Sequence, residues 1–362
     1  MAGAYLILEN GKVFEGSFTG KPGTTVGEVV FNTGMVGYLE TITDKNNFSQ
    51  IVVQTFPMIG NYGVINQDLQ SEKPCVAGYV VREMCNTPSN FRCEGTLTDY
   101  LDSNDVIGIC GIDTRALTRV LREEGTMNGM ICEKCEVTDE LLNQIKSFKV
   151  QNAVKSVSGK NNVYTTPLSK LKIALYDLGT GKNVIEAFSK LDCNVYVYDE
   201  STSYDEILSS KPDGVVISDG PSDPSENKFA IEQVKKLFDA KIPLFGIGLG
   251  HQIMALANGA ETFKLPYGHR GASGPCKKLD DGVLSIITQN HGYCVVRENL
   301  PKSLEVSYEN ANDKTIEGLN YINFPAFSTQ FRPDFATSPT GEKSLYSKFT
   351  ELCKEVNYNA VK

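Results

Sequence analysis

The sequence predicts an α/β protein with a sheet-rich mixed amino-terminal domain and a doubly wound, mostly parallel carboxyl-terminal domain. At 362 residues the chain exceeds the size at which one hydrophobic core usually stops growing, so two domains are expected. Its first half is rich in short runs typical of strands. After about residue 170 such runs alternate with helical segments, which indicates right-handed βαβ crossovers.

The amino-terminal domain is predicted over residues 1–150. Asn10 and Gly11 separate its first two strand-like runs and are typical of a hairpin turn. A helix is predicted to begin at Asp113, whose side chain is suited to cap it. Further strands are predicted at 27–31, 50–54 and 76–82, and the apolar face of the helix is formed by Ala116, Leu117, Val120 and Leu121.

Residues 151–170 are polar and aperiodic, which favours an interdomain linker. The carboxyl-terminal domain then covers residues 171–362. In a doubly wound sheet, ligands bind at the carboxyl ends of the strands, so functional residues are expected there. Strands are predicted at 172–176, 195–198, 214–218 and 242–247, and helices at 184–191, 204–208, 230–238 and from about His251 onward.

Composition argues against several classes of function. The net charge of -9 and the lack of a Lys/Arg run disfavour a nucleic-acid partner. The longest apolar runs are too short for a membrane span. The amino terminus lacks the pattern of a signal or transit peptide, so a cytoplasmic location is expected.

The ten cysteines mostly stand in apolar strings, which favours buried reduced thiols over a disulfide framework. Cys132 and Cys135 form a C-x-x-C pair without a second pair or a nearby histidine. Ordinary thiols are the favoured interpretation, and no metal site is predicted.

The most informative stretch is residues 243–257, an apolar strand that runs through a glycine turn into a helix. This is the arrangement of a nucleophile elbow, which projects one side chain above the sheet beside free amides of the helix. The projecting residue would be Gly248, which has no side chain. A dinucleotide loop is an alternative, but its G-x-G-x-x-G pattern fails at His251. A purely structural turn is the other alternative.

Residues 245–252 (FGIGLGHQ) resemble the class I glutamine amidotransferase motif with glycine in place of its nucleophilic cysteine. Other motifs, in order along almost the whole chain, resemble the small subunit of carbamoyl-phosphate synthases. These motifs are 27–33 (GEVVFNT), 37–38 (GY), 57–61 (PMIGN), 112–115 (IDTR), 218–224 (SDGPSDP), 267–271 (YGHRG) and 289–293 (QNHGY).

The resemblance implies a chemistry that this chain no longer supports. In the family, a cysteine attacks the glutamine amide, a histidine acts as base and a carboxylate orients the histidine. The corresponding positions are Gly248, Arg332 and Asp334, so the triad is degenerate and no catalytic residue set is intact. Arginine cannot accept a proton at neutral pH.

The chain has three histidines: His251, His269 and His291. His251 and His291 stand at structural or binding positions of the family motifs, so neither replaces the base. Cys294 and Ser222 are the remaining candidates for a substitute nucleophile. Arg332 is expected to pair with Asp334 or another neighbouring carboxylate, a plain surface arginine being the alternative.

The resemblance also implies a partly retained glutamine pocket. Leu249 and Gly220 are expected to offer oxyanion amides. Ser222 replaces a family glycine, and Asn46 replaces a serine that contacts the ligand. The full set of substrate-binding residues, for glutamine if it still binds, is Asn46, Gly220, Ser222, Leu249, Gln252, Asn290, Gly292 and Tyr293.

By resemblance, the chain is expected to be the small subunit of a carbamoyl-phosphate synthase, with a structural or regulatory role and an inactive glutaminase. A large partner subunit would bind ATP and Mg²⁺ and use ammonia for arginine and pyrimidine synthesis, and no cofactor is expected in this chain. Two alternatives stay open. One is a glutamine-hydrolysing subunit that uses an unorthodox residue, and the other is a regulator independent of the synthase.

Overall fold

The computed structural model describes residues 3–167, 169, 171–337 and 344–360, with the side chains of 334–337 and 357–360 left out. The chain forms two compact units. The first comprises Met1–Ala153 with Pro266–Gly271, and the second comprises Val154–Leu265 with Ala272–Lys362. No helix among the described residues is long and apolar enough to cross a membrane.

The first unit is built on a closed barrel, which agrees with the sheet-rich domain predicted. Its strands are β1 (Gly3–Leu8), β2 (Val13–Gly20), β3 (Thr25–Asn32), β4 (Gln50–Gln54), β5 (Met58–Ile59), β6 (Gly78–Val80), β7 (Glu83–Met84), β8 (Ile107–Cys110) and β9 (Met127–Cys132). The barrel order is β1-β2-β8-β6-β4-β3-β9, and β5 pairs with β7 separately. Closure leaves no free barrel edge.

The predicted hairpin joins β1 to β2. Gly11 has φ +85°, a conformation that favours glycine, and this explains the turn. Inside the barrel, Leu6, Val29, Ile51 and Ile131 are fully buried and form part of its core.

The described residues of the first unit form four α-helices: α1 (Tyr38–Thr43), α2 (Leu97–Ser103), α3 (Thr114–Glu124) and α4 (Asp139–Ser147). The helix predicted at Asp113 is α3. Its cap is confirmed, because Asp113 Oδ1 accepts a hydrogen bond of 2.9 Å from the Ala116 amide. Leu117 and Leu121 pack on the barrel core, so the predicted apolar face is also confirmed.

The second unit contains an eleven-stranded sheet with helices. Its helices are α5 (Ala153–Val157, which begins at the last residue of the first unit), α6 (Lys182–Lys190), α7 (Tyr204–Ser209), α8 (Lys228–Asp239), α9 (Leu249–Ala257) and α10 (Leu345–Ala360). Its strands are β10 (Asn162–Tyr164), β11 (Leu171–Tyr176), β12 (Cys193–Tyr198), β13 (Gly214–Ile217), β14 (Leu244–Ile247), β15 (Thr262–Lys278), β16 (Leu284–Val295), β17 (Leu304–Asn310), β18 (Ile316–Tyr321), β19 (Ala326–Thr329) and β20 (Arg332–Thr337).

The strand order is β10-β12-β11-β13-β14-β19-β18-β17-β15-β16-β20. From β12 to β19 the pairing is parallel, as the alternating pattern predicts. The antiparallel extension beyond β19 was not predicted, because its strands follow one another without intervening helices. The segment 151–170, predicted as a linker, carries α5 and β10, and its Ala153, Val154 and Val157 are buried.

Three strands bring their carboxyl ends together. Ile217 is level with Gly246, and Ile247 is level with Thr329, so β13, β14 and β19 end side by side. Large side chains such as Phe245 and Phe327 stack beneath this edge and fix it. The residues that follow the three strands are therefore neighbours in space.

Candidate active site

The predicted strand-turn-helix elbow is present between β14 and α9. Gly248 forms the turn with φ 55° and ψ -111°, a backbone conformation that residues with a side chain rarely adopt. Its amide donates to the Thr329 carbonyl oxygen at 2.9 Å, which ties the elbow to the end of β19. Gly250, two residues after Gly248, permits the close packing that this sharp turn requires. A Cβ at Gly250 would lie 2.1 Å from the Ile217 carbonyl oxygen.

The carboxylate of Asp219 fills the space above the elbow. A Cβ built on Gly248 would lie 1.9 Å from Asp219 Oδ1, so a side chain at that position would require this carboxylate to shift. Asp219 Oδ1 accepts hydrogen bonds from the amides of Gly220, at 2.9 Å, and Leu249, at 3.1 Å. These are the two amides that sequence analysis assigned to an oxyanion hole. Both of them are bound to a carboxylate of the protein itself.

Arg332 binds the other oxygen of the same carboxylate. Its Nε lies 3.1 Å from Asp219 Oδ2, and the two side chains are only 18% and 12% exposed. The expected ion pair with a neighbouring carboxylate is therefore confirmed, with Asp219 as the partner, and the surface-arginine alternative is wrong. Asp334 stands two residues further along β20, and its side chain lies outside the described residues.

The electrostatics of this arrangement favour a fixed anion at the amino end of α9. The amino end of α9 and the Arg332 guanidinium together stabilise one negative charge, and Asp219 supplies it. A tetrahedral oxyanion would have to occupy the position of Asp219 Oδ1. A fixed carboxylate at the helix end likewise repels a pyrophosphate, which disfavours the dinucleotide-loop alternative.

Two of the predicted glutamine-binding residues are brought together within the second unit. The side-chain nitrogen of Gln252, a residue 3% exposed, donates to the Tyr293 carbonyl oxygen at 2.6 Å and to Gln330 Oε1 at 2.8 Å. Both hydrogens of this amide are therefore used inside the protein. Asn290 and Gly292 lie on β16 beside Tyr293.

The two residues that were expected to depart from the family pattern lie in different units. Ser222 has φ 89°, in a region that favours glycine, and its hydroxyl accepts a bond of 3.3 Å from Asn227. Asn46 is buried in the first unit, in a short 3-10 helix where its backbone amide donates to Asp44 Oδ1. Whether these residues contact glutamine stays a prediction.

The histidines of the second unit are held in internal contacts. His251 is fully buried, its Nδ1 lies 2.8 Å from Ser328 Oγ, and burial lowers its pKa to about 3. His291 Nδ1 lies 2.9 Å from the Tyr293 carbonyl oxygen, which requires a proton on that nitrogen. His269 belongs to the segment Pro266–Gly271 of the first unit.

Cys294 is a poor nucleophile in this setting. Its sulfur lies 3.8 Å from His291 Nδ1, but that nitrogen carries its proton toward Tyr293. Cys294 is fully buried, and desolvation raises the pKa of its thiol well above the usual range, so the reactive thiolate is disfavoured. The Ser222 hydroxyl points to the Asp223 carbonyl oxygen at 3.4 Å.

Asp219 is the functional residue that sequence analysis missed. The signal was present, because an acidic residue stands two positions after β13, at the edge where ligands bind in doubly wound sheets. Its role became visible only with its contacts, because glycine at 248 leaves room for the carboxylate and Arg332 supplies the cation that pairs with it.

Comparisons with known proteins agree with this architecture. The family description "Carbamoyl-phosphate synthase small chain, CPSase domain" matches residues 6–131, and "Glutamine amidotransferase class-I" matches residues 174–352. The carbamoyl phosphate synthase small chain of Clostridium perfringens is 44% identical over 346 residues, covering 96% of this chain and 98% of the relative. The protein of the same name from Listeria monocytogenes is 42% identical over 349 residues, covering 96% of each.

Among solved structures, a glutamine amidotransferase from Thermotoga maritima is 17% identical. It covers 53% of this chain and 84% of its own length, with a TM-score of 0.38. The two family matches lie in the two halves of the sequence, and the curated relatives span nearly all of it. The chain belongs to the carbamoyl-phosphate synthase small-chain family and carries a class I glutamine amidotransferase domain.

Proposed function

We propose that this chain is a small subunit of carbamoyl-phosphate synthase that has lost glutamine hydrolysis and serves a large subunit by assembly and regulation. The single observation that carries the proposal is the Asp219 carboxylate. It binds the amides of Gly220 and Leu249 and occupies the space where a side chain on residue 248 would begin.

The residues at 219, 248 and 332 fit one another, which supports a stable non-hydrolytic site rather than one inactivating substitution in a working enzyme. Gly248 removes the nucleophile, Arg332 removes the base, and Asp219 joins the two vacated positions through an ion pair. Loss of a catalytic triad that works as a unit lowers the rate by about a millionfold. A carboxylate in the oxyanion site lowers what remains, because it repels the charge that develops on the substrate.

The nitrogen source would then be free ammonia. The large subunit would bind ATP and Mg²⁺ and form carbamoyl phosphate from bicarbonate and ammonia, for arginine and pyrimidine synthesis in the cytoplasm. The small chain would stabilise this partner, shape its ammonia entrance or transmit a ligand signal. Glutamine, if the pocket still takes it, would be bound without turnover.

The test is reconstitution with the large subunit of the same source. Carbamoyl phosphate formation is measured with ATP and bicarbonate, and either ammonium chloride or glutamine supplies the nitrogen. We expect the two subunits to co-elute and ammonium to support synthesis, whereas glutamine leaves the rate at background. Synthesis from glutamine at a rate comparable to that from ammonium would refute the proposal. Failure to co-elute would favour a regulator independent of the synthase.

A further inference from the structure

The first unit contains an open cavity of about 490 Å³ whose wall is unusually basic. It lies beside α3 and the loop after β6, and its lining is independent of the elbow. The residues around it are four arginines, four threonines and one proline: Arg82, Arg115, Arg119, Arg122, Thr33, Thr55, Thr114, Thr118 and Pro57.

Three of the arginines follow one face of α3. Arg115, Arg119 and Arg122 are spaced by four and three residues, which places them on neighbouring turns of the same side. Arg82 joins them from the segment between β6 and β7. Four cations converge on one cavity in a chain whose net charge is -9. General basicity does not explain this cluster.

These guanidinium groups lack counterions within the described part of the chain. None of the four has an ion pair or a side-chain hydrogen bond to a described residue, whereas Arg332, Arg297 and Arg92 are each paired with a carboxylate. Arg122 lies beside an aromatic ring, because its guanidinium carbon is 5.8 Å from the centre of the Tyr267 ring. All four arginines are exposed and keep their donors available to a ligand.

The cluster is unfavourable for the helix that carries it. Like charges three and four residues apart repel each other. Arg115 also places a cation in the first turn of α3, where the helix dipole favours an anion and no acidic residue stands. The nearest carboxylate along the chain, Asp113, uses Oδ1 to cap the Ala116 amide. A bound anion would relieve both costs.

Two of the threonine hydroxyls restrict further which kind of ligand the cavity can bind. Thr118 donates to the Thr114 carbonyl oxygen at 2.7 Å, and Thr55 donates to the Asn32 carbonyl oxygen at 3.2 Å. The hydrogens of these two hydroxyls point into the protein, so the four guanidinium groups supply most of the donors to the cavity. Such a wall selects a ligand that is rich in acceptor oxygens and carries several negative charges.

We propose that this cavity, defined by Arg82, Arg115, Arg119 and Arg122, binds a small molecule with two or more linked phosphate groups. Its volume falls in the range of about 300 to 1,000 Å³ that is usual for small-molecule sites. Its concave form favours a compact ligand over a flat acidic protein surface. Inorganic pyrophosphate and nucleoside diphosphates both carry linked phosphate groups. Binding of such a compound at this site would regulate the synthase.

The experiment is calorimetric titration of the full chain with inorganic pyrophosphate at about 150 mM salt, where weak surface attraction is screened. Parallel titrations use phosphate, AMP and ADP. We expect one saturable site for pyrophosphate and ADP, with phosphate and AMP at least about tenfold weaker because they engage fewer arginines. Tighter binding of ADP than of pyrophosphate identifies a nucleotide site, and equal binding identifies a site for the polyphosphate alone.

The variants are Arg119→Gln and Arg82→Gln, one on the helix and one in the loop. Each is expected to weaken pyrophosphate binding by about tenfold, the usual effect of losing a charged hydrogen bond. Lys73→Gln, an exposed cation of the same unit outside the cavity, is the matched control and is expected to bind as the native chain does. Arg82→Gln keeps the test valid if the helix variant unfolds.

Three outcomes would overturn the proposal. They are the absence of saturable pyrophosphate and ADP binding, an equal loss in Lys73→Gln, or native affinity in both arginine variants. Lack of ligand binding combined with loss of co-elution with the large subunit in the arginine variants would identify a protein interface instead. None of these results depends on whether glutamine is hydrolysed, so this inference and the proposed function are tested separately.

Discussion

Asp219 Oδ2 and Arg332 Nε lie 3.1 Å apart, and this contact joins the end of β13 to the start of β20 across the elbow. The same carboxylate accepts the amides of Gly220 and Leu249 through its other oxygen. One acidic side chain therefore pairs with the Arg332 cation and occupies the two amides that were expected to form an oxyanion hole. The carboxylate is therefore fully engaged within the protein.

This geometry predicts that restoring the two obvious residues does not restore hydrolysis. Gly248→Cys with Arg332→His should release glutamate from glutamine no faster than the native chain, because the Asp219 carboxylate still places a negative charge on the Gly220 and Leu249 amides. Adding Asp219→Asn removes the charge from the oxyanion site and should raise the rate at least about tenfold over the double variant. Glutamate release by the three proteins is the measurement. A fully active double variant would contradict the role given to Asp219.

The ion pair between Asp219 and Arg332 also predicts that substitutions of the two residues have coupled effects on the free energy of unfolding. Asp219→Ala should lower the free energy of unfolding by about 2 kcal/mol, because it removes the acceptor of two amides and a partner of a largely buried guanidinium. Urea unfolding of Asp219→Ala, Arg332→Ala and the double variant forms the cycle. A coupling energy of about 1–2 kcal/mol is expected. Additive single effects would show that the two residues do not stabilise one another.

His251 predicts a pH dependence of stability. Burial lowers its native pKa to about 3 from 6.5, so below pH 6.5 the unfolded chain binds a proton that the native chain does not. Stability is therefore lost as the pH falls from about 6.5 toward 3, with a contribution from this group of about 2 kcal/mol between pH 7 and pH 5.

The check for His251 is urea unfolding of the native chain and of His251→Gln at pH 7 and pH 5. The difference in unfolding free energy between the two pH values should be smaller in the variant by about that amount. The comparison cancels the contribution of other titrating groups. Equal pH dependence in the two proteins would show that His251 takes up a proton in the native state.

Cysteine labelling tests whether Cys294 could serve as a substitute nucleophile. Cys294 is fully buried and its thiol pKa is raised, whereas Cys135 is exposed. In the native chain, iodoacetamide at neutral pH should label Cys135 readily and Cys294 only after unfolding. Mass spectrometry of tryptic peptides follows both sites in one sample. Rapid native labelling of Cys294, with Cys135 as the internal control, would revive it as a candidate nucleophile.

Much of the fold could be predicted because local signals agree with it. Asn10 and Gly11 specify a hairpin, Asp113 caps α3, and the alternation after residue 170 gives the parallel strands and the edge where they end. The elbow at Gly248 follows from a strand, a glycine turn and a helix. These features depend on neighbours in sequence, which periodicity and capping rules read directly.

The remainder depends on residues that are distant in sequence. The barrel closes through β1 with β9, and β16 pairs with β20, which no local pattern specifies. Asp219 and Arg332 are separated by 113 positions, so their pairing requires the order of strands to be known. The arginine cavity likewise combines α3 with Arg82 from another part of the chain.

The most direct test of the central claim is glutamate release from saturating glutamine by the purified native chain, alone and with its large subunit. The proposed loss of nucleophile and base predicts a rate about a millionfold below that of an intact triad. Mass spectrometry of the same samples should find no glutamyl adduct on any residue. Steady turnover of about one per second, or a covalent adduct, would contradict the account.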